Sequence, residues 1–488
     1  MTTAPLPLSP THPGIGRELI QLPKERRIKL LALACLIFFT TCGGAFGLEP
    51  LIGAVGAGWA GILIVVTPFV WSLPTALMDA ELATLMPEEG GYYVWVKEAF
   101  GSFWAVQLSC WTMVISAVWL AMYPVLFVSY LTFLVPALTP SADVSHPGMG
   151  ALIRWLVAVL VIVAGMGLNL RGARDVGRSA KVSAYFVLGA FALRLLVWLK
   201  RGPAPGTIVD VFGHDLASHH KGALLLGLSY VIFNYSGWEN ASTYAGEVDQ
   251  PQRNYPRALA LALLVLLLCY LLPVSAGVTV TTDPAIWNSD AGWPVISRLI
   301  GGRWLGSLMA AAGLVSTFGL FSAQLLYVSR LPYVMASDGW LPEVFAKVSH
   351  DTAAPKLAIL CFCAVITLFA ALSFGSLAII QCLLYSAALT LEFLSLIVLR
   401  VRRPEAHRSF RVPGGWWGMA YVCVTPFAFV VLVLIATLRD WKSFPGQLVV
   451  VGVVALSGLT LYFVRRRVAT QRGGERFESL ANSPSVLD

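Results

Sequence analysis

The sequence predicts an all-α integral membrane protein with about twelve membrane-spanning helices. Three observations predict it. Hydrophobic residues make up 57% of the 488 residues and Asp, Glu, Lys and Arg only 12%, where soluble domains carry roughly 45–50% and about 25%. The mean hydropathy is +0.74. Charge-free stretches recur along the chain at about the 20 residues that a helix needs to cross a bilayer. So few charges cannot coat a soluble protein of this length, and lipid is the solvent that remains.

The other bulk features fit that class. The formal net charge of +8 comes from Lys and Arg placed between apolar runs, not along one face, so it reads as loop charge and not as a nucleic-acid surface. All eight cysteines lie in or at the edge of apolar runs, and all seven histidines fall in tails or loops. No disulfide, metal site or cofactor is expected. Cys361 and Cys363 are two apart on a helix and do not face each other. An intramembrane enzyme would need a histidine, metal-ligand or Ser/His constellation within the spans, and none is present. The N-terminus is Pro-rich and lacks the charged start and short apolar core of a signal peptide. Residues 1–27 are therefore expected to form a disordered cytoplasmic tail.

The predicted spans are 28–57, 59–85, 101–134, 151–169, 179–199, 222–247, 256–281, 304–334, 356–374, 375–399, 415–438 and 445–464. The run 357–391 carries no charge and is too long for one helix, and Ser373-Phe374-Gly375-Ser376 supplies a turn within it. With the N-terminus inside, cytoplasmic segments hold 25 Lys and Arg and outer loops 7. That asymmetry predicts both termini in the cytoplasm and an even number of spans. Residues 465–488 then form a cytoplasmic C-terminal tail.

Two spans are interrupted. In the first, Cys42-Gly43-Gly44-Ala45-Phe46-Gly47 divides an apolar run; in the sixth, Asn234-Tyr235-Ser236-Gly237-Trp238 does so before Glu239. A helix-interior Gly costs about 1 kcal/mol relative to Ala, so three glycines in five residues favour unwinding. Non-helical backbone survives at membrane depth only where protein buries it or a wet cavity borders it, and its free N–H and C=O groups there are expected to bind a ligand. The breaks lie about 190 residues, or five spans, apart. This is the spacing of an inverted repeat of five helices whose broken first helices meet at the midplane. Repeat one is placed at 28–199 and repeat two at 222–399 within a transmembrane domain of 28–464, with further helices at 415–464. A single glycine motif would fit tight helix packing equally well; two at corresponding positions favour a binding site.

At these residues the chain resembles the amino acid–polyamine–organocation transporter superfamily, over about 19–467. The likeness is carried by Gly43-Gly44-Ala45-Phe46-Gly47-Leu48-Glu49, Ala80-Glu81-Leu82, Pro87-Glu88-Glu89-Gly90-Gly91-Tyr92-Tyr93-Val94-Trp95, Leu168-Asn169-Leu170-Arg171-Gly172, Ser236-Gly237-Trp238-Glu239 and Ala245-Gly246-Glu247-Val248. Tyr123-Pro124-Val125-Leu126-Phe127 and the segments around both breaks are most similar to the polyamine-uptake branch of plants. The resemblance implies a LeuT-like fold of five-plus-five inverted repeats with two further helices. It also implies that backbone amides of Gly43, Gly44 and Ala45 hold a substrate carboxylate when the substrate is an amino acid. Many relatives carry a lysine in helix 5, and this chain has Val187 at that position.

Side chains near the breaks supply the remaining candidates. A carboxylate inside a membrane costs at least about 2.5 kcal/mol, so Glu239 is expected to be paired or to serve as counter-charge for a substrate amine. Trp238 is expected to stack on a substrate cation or to pack in the core, and Tyr235 and Ser236 complete the second break. Trp111, Tyr123 and Tyr385 are further aromatic candidates. Glu49 lies beyond the first break, where it either attracts cations or is solvated. Glu81 is expected at an inner gate and Glu392 beside an arginine at the inner face, while Asp79 has no assigned role. Lys181 is either a coupling residue or a loop cation, and Glu239 or Glu81 is the stronger proton carrier. The function predicted is secondary active uptake of amino acids or polyamines by alternating access, proton-coupled, with a lean to cationic substrates. A neutral amino acid permease of the same fold and a non-transporting nutrient receptor are the alternatives. The partners expected are the substrate, a proton and the bilayer of the cell membrane.

Overall fold

The computed structural model describes residues 28–42, 44–86, 90–138, 147–202, 224–242, 248–289, 291–349, 352, 354–443 and 445–471. Both expected tails lie outside them, except that the last helix runs on to Gln471 and takes up Arg465–Arg467. Gly43, Pro87-Glu88-Glu89 and Ala245-Gly246-Glu247 also lie outside the described residues.

The chain is built of helices: α1 (Leu30–Thr41), α2 (Glu49–Thr67), α3 (Leu73–Leu85), α4 (Tyr92–Phe100), α5 (Ser102–Leu134), α6 (Pro147–Leu170), α7 (Ala173–Arg201), α8 (Leu224–Tyr235), α9 (Pro251–Val278), α10 (Pro284–Trp287), α11 (Gly292–Gly301), α12 (Arg303–Val328), α13 (Arg330–Ser337), α14 (Lys356–Phe369), α15 (Phe374–Arg402), α16 (Gly415–Asp440) and α17 (Pro445–Gln471). Among the described residues, nine helical segments are long and apolar enough to cross a membrane, and Lys356–Phe369 is a shorter apolar helix. The two spans expected to be broken are each represented by a 12-residue half-helix, α1 and α8, that stops where the glycine motif begins.

Local chemistry explains the boundaries. Gly56 takes φ 79°, ψ 166° inside α2, a conformation that L side chains avoid. It separates the half-helix after the first break from the long second span, close to the predicted division at 57–59. A π-helical turn, Pro68–Ser72, joins α2 to α3. The charge-free run near 373 divides as expected. Ser373 caps α15, its hydroxyl accepting from the Ser376 N–H at 3.4 Å, which satisfies one of the orphan donors of a helix start.

Burial sorts the bundle. In its most apolar window α5 is 78% buried, against 11% for α17, so α5 is the central helix and α17 a peripheral one. The α5 helix packs on α4, α6, α12, α15 and α17. The lipid-facing stripes keep helical period: Val182, Tyr185, Leu196 and Leu199 are exposed on α7, and Leu261, Leu264, Leu268 and Leu272 on α9.

One buried ion cluster ties the expected cytoplasmic ends together. Glu81 of α3 accepts from Arg400 Nε at 2.7 Å and from Arg400 Nη2. It also accepts from the Val412 N–H at 2.7 Å, and Arg408 Nε lies 3.1 Å away. The arginine expected beside Glu392 is thus committed to Glu81 instead. Arg400 lies eight residues beyond Glu392, about 12 Å along the helix at 1.5 Å per residue, too far to pair with it. Lys97–Asp338 (2.6 Å) and Arg403–Glu98 (2.7 Å) close the same end nearer the surface.

Breaking one member of a buried pair leaves an uncompensated charge, which typically costs about 3–5 kcal/mol. Glu81→Leu is expected to lower the thermal midpoint of the purified protein in detergent accordingly, and Glu81→Leu with Arg400→Leu to recover much of the loss.

Candidate functional site

The two breaks lie against each other. A Cβ on Gly237 would stand 2.4 Å from the Thr40 carbonyl oxygen, at the end of α1. Asn234 Nδ2 donates across to the Gly47 carbonyl at 3.1 Å. Gly237 sits at φ +99° and Gly44 at φ +106°, positions where glycine has no steric penalty.

Several of the backbone groups freed at the breaks are met by side chains around them. In the first break the Gly44 N–H donates to Cys42 Sγ at 3.2 Å. The Gly47 N–H donates to Glu49 Oε2 at 2.8 Å and to the Tyr130 hydroxyl at 3.0 Å. Trp293 Nε1 donates to the Ala45 carbonyl at 2.7 Å, and Gln324 Nε2 to the Thr40 carbonyl at 2.9 Å. In the second, the Tyr270 hydroxyl donates to the Asn234 carbonyl at 2.6 Å, and Trp238 Nε1 to the Tyr235 carbonyl at 3.0 Å. The Gly237 N–H donates to the Tyr385 hydroxyl at 3.1 Å. A buried, unpaired backbone group costs about 1–3 kcal/mol, so the fold supplies partners from neighbouring helices.

A small cavity remains beside Glu239, bounded by α4, α5, α12, α15 and the 3-10 turn at 239–242. Thr112, Ile115, Ser116 and Trp119 of α5 line one wall, at the i, i+3, i+4, i+7 spacing of one helix face. Tyr92, Tyr327 and Tyr385 contribute hydroxyls and ring edges, and Glu239 and Glu392 contribute carboxylates. Glu239 Oε2 accepts from the Tyr385 hydroxyl at 2.7 Å. Glu392 Oε2 is buried without a hydrogen-bond partner. None of the lining side chains is basic. Asp79 of α3, fully buried beside Tyr255, lies within electrostatic reach of both glutamates. Three buried acids therefore share one region of low dielectric, and a cation is the ligand that such a region stabilises.

The sequence-predicted residues distribute unevenly over this geometry. Glu239 and Tyr385 line the cavity. Tyr235, Ser236, Gly237 and Trp238 form its neighbouring break: Tyr235 donates from its hydroxyl to the Ile64 carbonyl, Ser236 bonds the Ile232 carbonyl, and the Trp238 indole is fully buried. Gly44 and Ala45 stand at the first break. Trp111 faces the other way, with Nε1 on the Ala455 carbonyl of α17 at 3.3 Å. It sits one residue, about 100°, from the cavity face that begins at Thr112. Tyr123 accepts from Gln324 Nε2 at 2.5 Å. Lys181 stands half-buried near Cys35 of α1, and Glu81 belongs to the ion cluster. Glu49 is not at a solvated entrance. It is 3% exposed, because Gly47, Tyr130 and the Trp293 N–H converge on its carboxylate.

Sequence reasoning missed Trp119, Tyr130, Gln324 and Trp293, and it named Asn234 only as part of the second break. An amide side chain inside an apolar span, such as Gln324 or Asn234, is the signal that marks a membrane-buried polar contact. Tyr130 and the two tryptophans give no such signal, since aromatic residues on membrane helices mostly pack.

The family described as amino acid permease matches residues 28–455. A probable polyamine transporter of Arabidopsis thaliana is 33% identical over 440 residues, 89% of this chain and 86% of its own length. A polyamine transporter of Oryza sativa subsp. japonica is 35% identical over 450 residues, 92% of this chain and 80% of its own. The human cystine/glutamate transporter is 24% identical over 468 residues, 92% of this chain and 86% of its own.

Gly237→Ala is expected to destabilise the protein by at least about 1–3 kcal/mol from the left-handed backbone alone, with the Thr40 contact adding to it. Gly446→Ala, whose Cβ meets nothing within 4 Å, is the control in the same thermal unfolding measurement.

Proposed function

The chain belongs to the amino acid permease family, and from that premise we propose that it carries cationic amines, polyamines or cationic amino acids, across the membrane by alternating access. The observation that carries this reading is the cavity beside Glu239. Its walls hold two carboxylates and three tyrosines, with no basic side chain among the described lining residues. An ammonium group there gains charge-assisted hydrogen bonds from Glu239 and Glu392 and ring contacts from Trp119 and Tyr385. The plant relatives named as polyamine transporters support the same substrate chemistry.

Alternating access is supported by the way both ends are held. Trp293 and Tyr130 bond the first break on the side of α11, and the Glu81 cluster fastens α3 to α15 on the other. We assign these two sets of contacts as the gates that open in turn on either side of the cavity. Repeat one at 28–199, repeat two at 222–399 and the helices at 415–464 are the units we assign to this motion. We assign both termini to the cytoplasm, a reading the lysine and arginine asymmetry supports, and the protein to the cell membrane. Each elementary charge is worth about 2.3 kcal/mol per 100 mV, so a cation accumulates on voltage, and a coupled proton adds to that drive.

Proteoliposomes holding a negative-inside potential, offered labelled putrescine, arginine and leucine, test the reading. Uptake of the cations and not of leucine is the expected outcome; transport of leucine alone would overturn it. Glu239→Gln keeps the Tyr385 hydrogen bond and removes the charge, a loss of about 1.5–3 kcal/mol. It is expected to weaken half-saturation for the cation by roughly tenfold to a hundredfold. A pH gradient imposed at zero potential tests proton coupling: unchanged uptake removes the proton from the scheme.

A further inference from the structure

We infer that Glu49 is a resident carboxylate filling the amide cradle of the first break, so that the site takes amines that carry no carboxylate, diamines and longer polyamines, in preference to cationic amino acids. The inference rests on the reading that the Glu239 cavity binds a cationic amine, and it adds a specificity residue to it.

The start of a half-helix at membrane depth is the natural place for a ligand carboxylate, because its N–H groups lack intrahelical partners and the dipole favours negative charge. In this chain that place is taken. Glu49 opens α2 and folds back on the break. Its Oε2 accepts from the Gly47 N–H at 2.8 Å, and its Oε1 accepts from the Tyr130 hydroxyl at 2.8 Å and lies 3.4 Å from the Trp293 N–H. The donors converge from the chain's own turn, from α5 and from α11, and they leave the carboxylate 3% exposed. The other glycine amides described at the breaks are occupied as well, Gly44 by Cys42 Sγ at 3.2 Å and Gly237 by the Tyr385 hydroxyl at 3.1 Å. A ligand carboxylate reaching for the Gly47 N–H, the Tyr130 hydroxyl or the Trp293 N–H would have to displace Glu49.

The cavity offers no alternative. It reaches none of the residues of the first break, and its two charged groups are Glu239 and Glu392. Glu392 Oε2 is buried and unpartnered, which suits a second ammonium and repels a carboxylate. Asp79, a third buried acid, lies within electrostatic reach of both glutamates. Arg194, a buried cation of α7, is already engaged. It lies 4.8 Å over the Trp293 ring, with Nε on Ser297 Oγ and Nη1 on the Pro273 carbonyl. One end of the site therefore already holds a carboxylate, while the other asks for amines.

Putrescine, ornithine and ornithine methyl ester separate the possibilities, since they share a four-carbon spacing and differ in an absent, free or masked carboxylate. Unlabelled compounds compete with labelled putrescine in counterflow by the purified full chain in proteoliposomes, with no membrane potential. Putrescine and the ester are expected to compete at least tenfold better than ornithine. Glu49→Ala is expected to narrow the gap at least fivefold by strengthening ornithine while putrescine exchange persists. Ornithine competing as well as putrescine with the unaltered protein would overturn the inference, and so would a Glu49→Ala protein that weakens both in equal proportion. Where Glu49→Ala does not insert, the three compounds on the unaltered protein decide the matter. Absence of putrescine exchange, with exchange of a neutral amino acid, instead defeats the cationic reading on which the inference stands.

Discussion

Hydrocarbon offers no hydrogen bonds, and every departure from helix inside this bundle has to be answered by another part of the chain. That constraint organises the molecule. Two helices stop halfway, at glycines held at φ near +100°, and their freed backbone groups are met by tyrosine, tryptophan, asparagine and glutamine side chains from α5, α8, α9, α11 and α12. The breaks are consequently structured junctions. Because the partners come from separate helices, a shift of any of those helices changes what the breaks are bonded to, which links helix movement to the state of the site.

Charge follows the same logic on a longer range. Glu81 is buried, and it is surrounded by Arg400, Arg408 and the Val412 N–H, so its desolvation is offset locally. Glu239, Glu392 and Asp79 are equally buried and receive hydroxyl partners or none that is basic. Two acidic groups of one span, Asp79 and Glu81, thus meet opposite fates, because residues two apart on a helix point to different faces. One face meets an arginine of α15 and the other meets more acid. The first arrangement holds a bundle together; the second is tolerable only where a cation or a proton completes it.

Glu49 joins the two themes. It is an acid that answers backbone, standing where a ligand's carboxylate would otherwise stand. Selectivity for a substrate class then arises from what the protein has already placed in its own site, in addition to what the cavity wall attracts.

Much of the architecture was legible in the sequence because the bilayer imposes a length and a polarity that single residues report directly. The charge-free runs, the division near Gly56, the turn at Ser373 and the two glycine breaks all follow from backbone and transfer energetics, which act locally along the chain. Family membership was legible too, through motifs at the breaks. The partners of polar groups were not. Nothing near Glu49 in sequence announces Tyr130 or Trp293, 81 and 244 residues away. Nor does Arg400 announce Glu81, 319 residues before it. Trp111 and Trp119 look alike as aromatic residues of one span, and rotation about the helix axis alone sends one to α17 and the other to the cavity. The sequence by itself determined which stretches are apolar enough to cross a membrane, where two of them break and what chemistry they carry. Only the tertiary structure decided which acid is neutralised, which caps backbone and which faces the cavity, because these depend on how helices distant in the chain turn their faces toward one another.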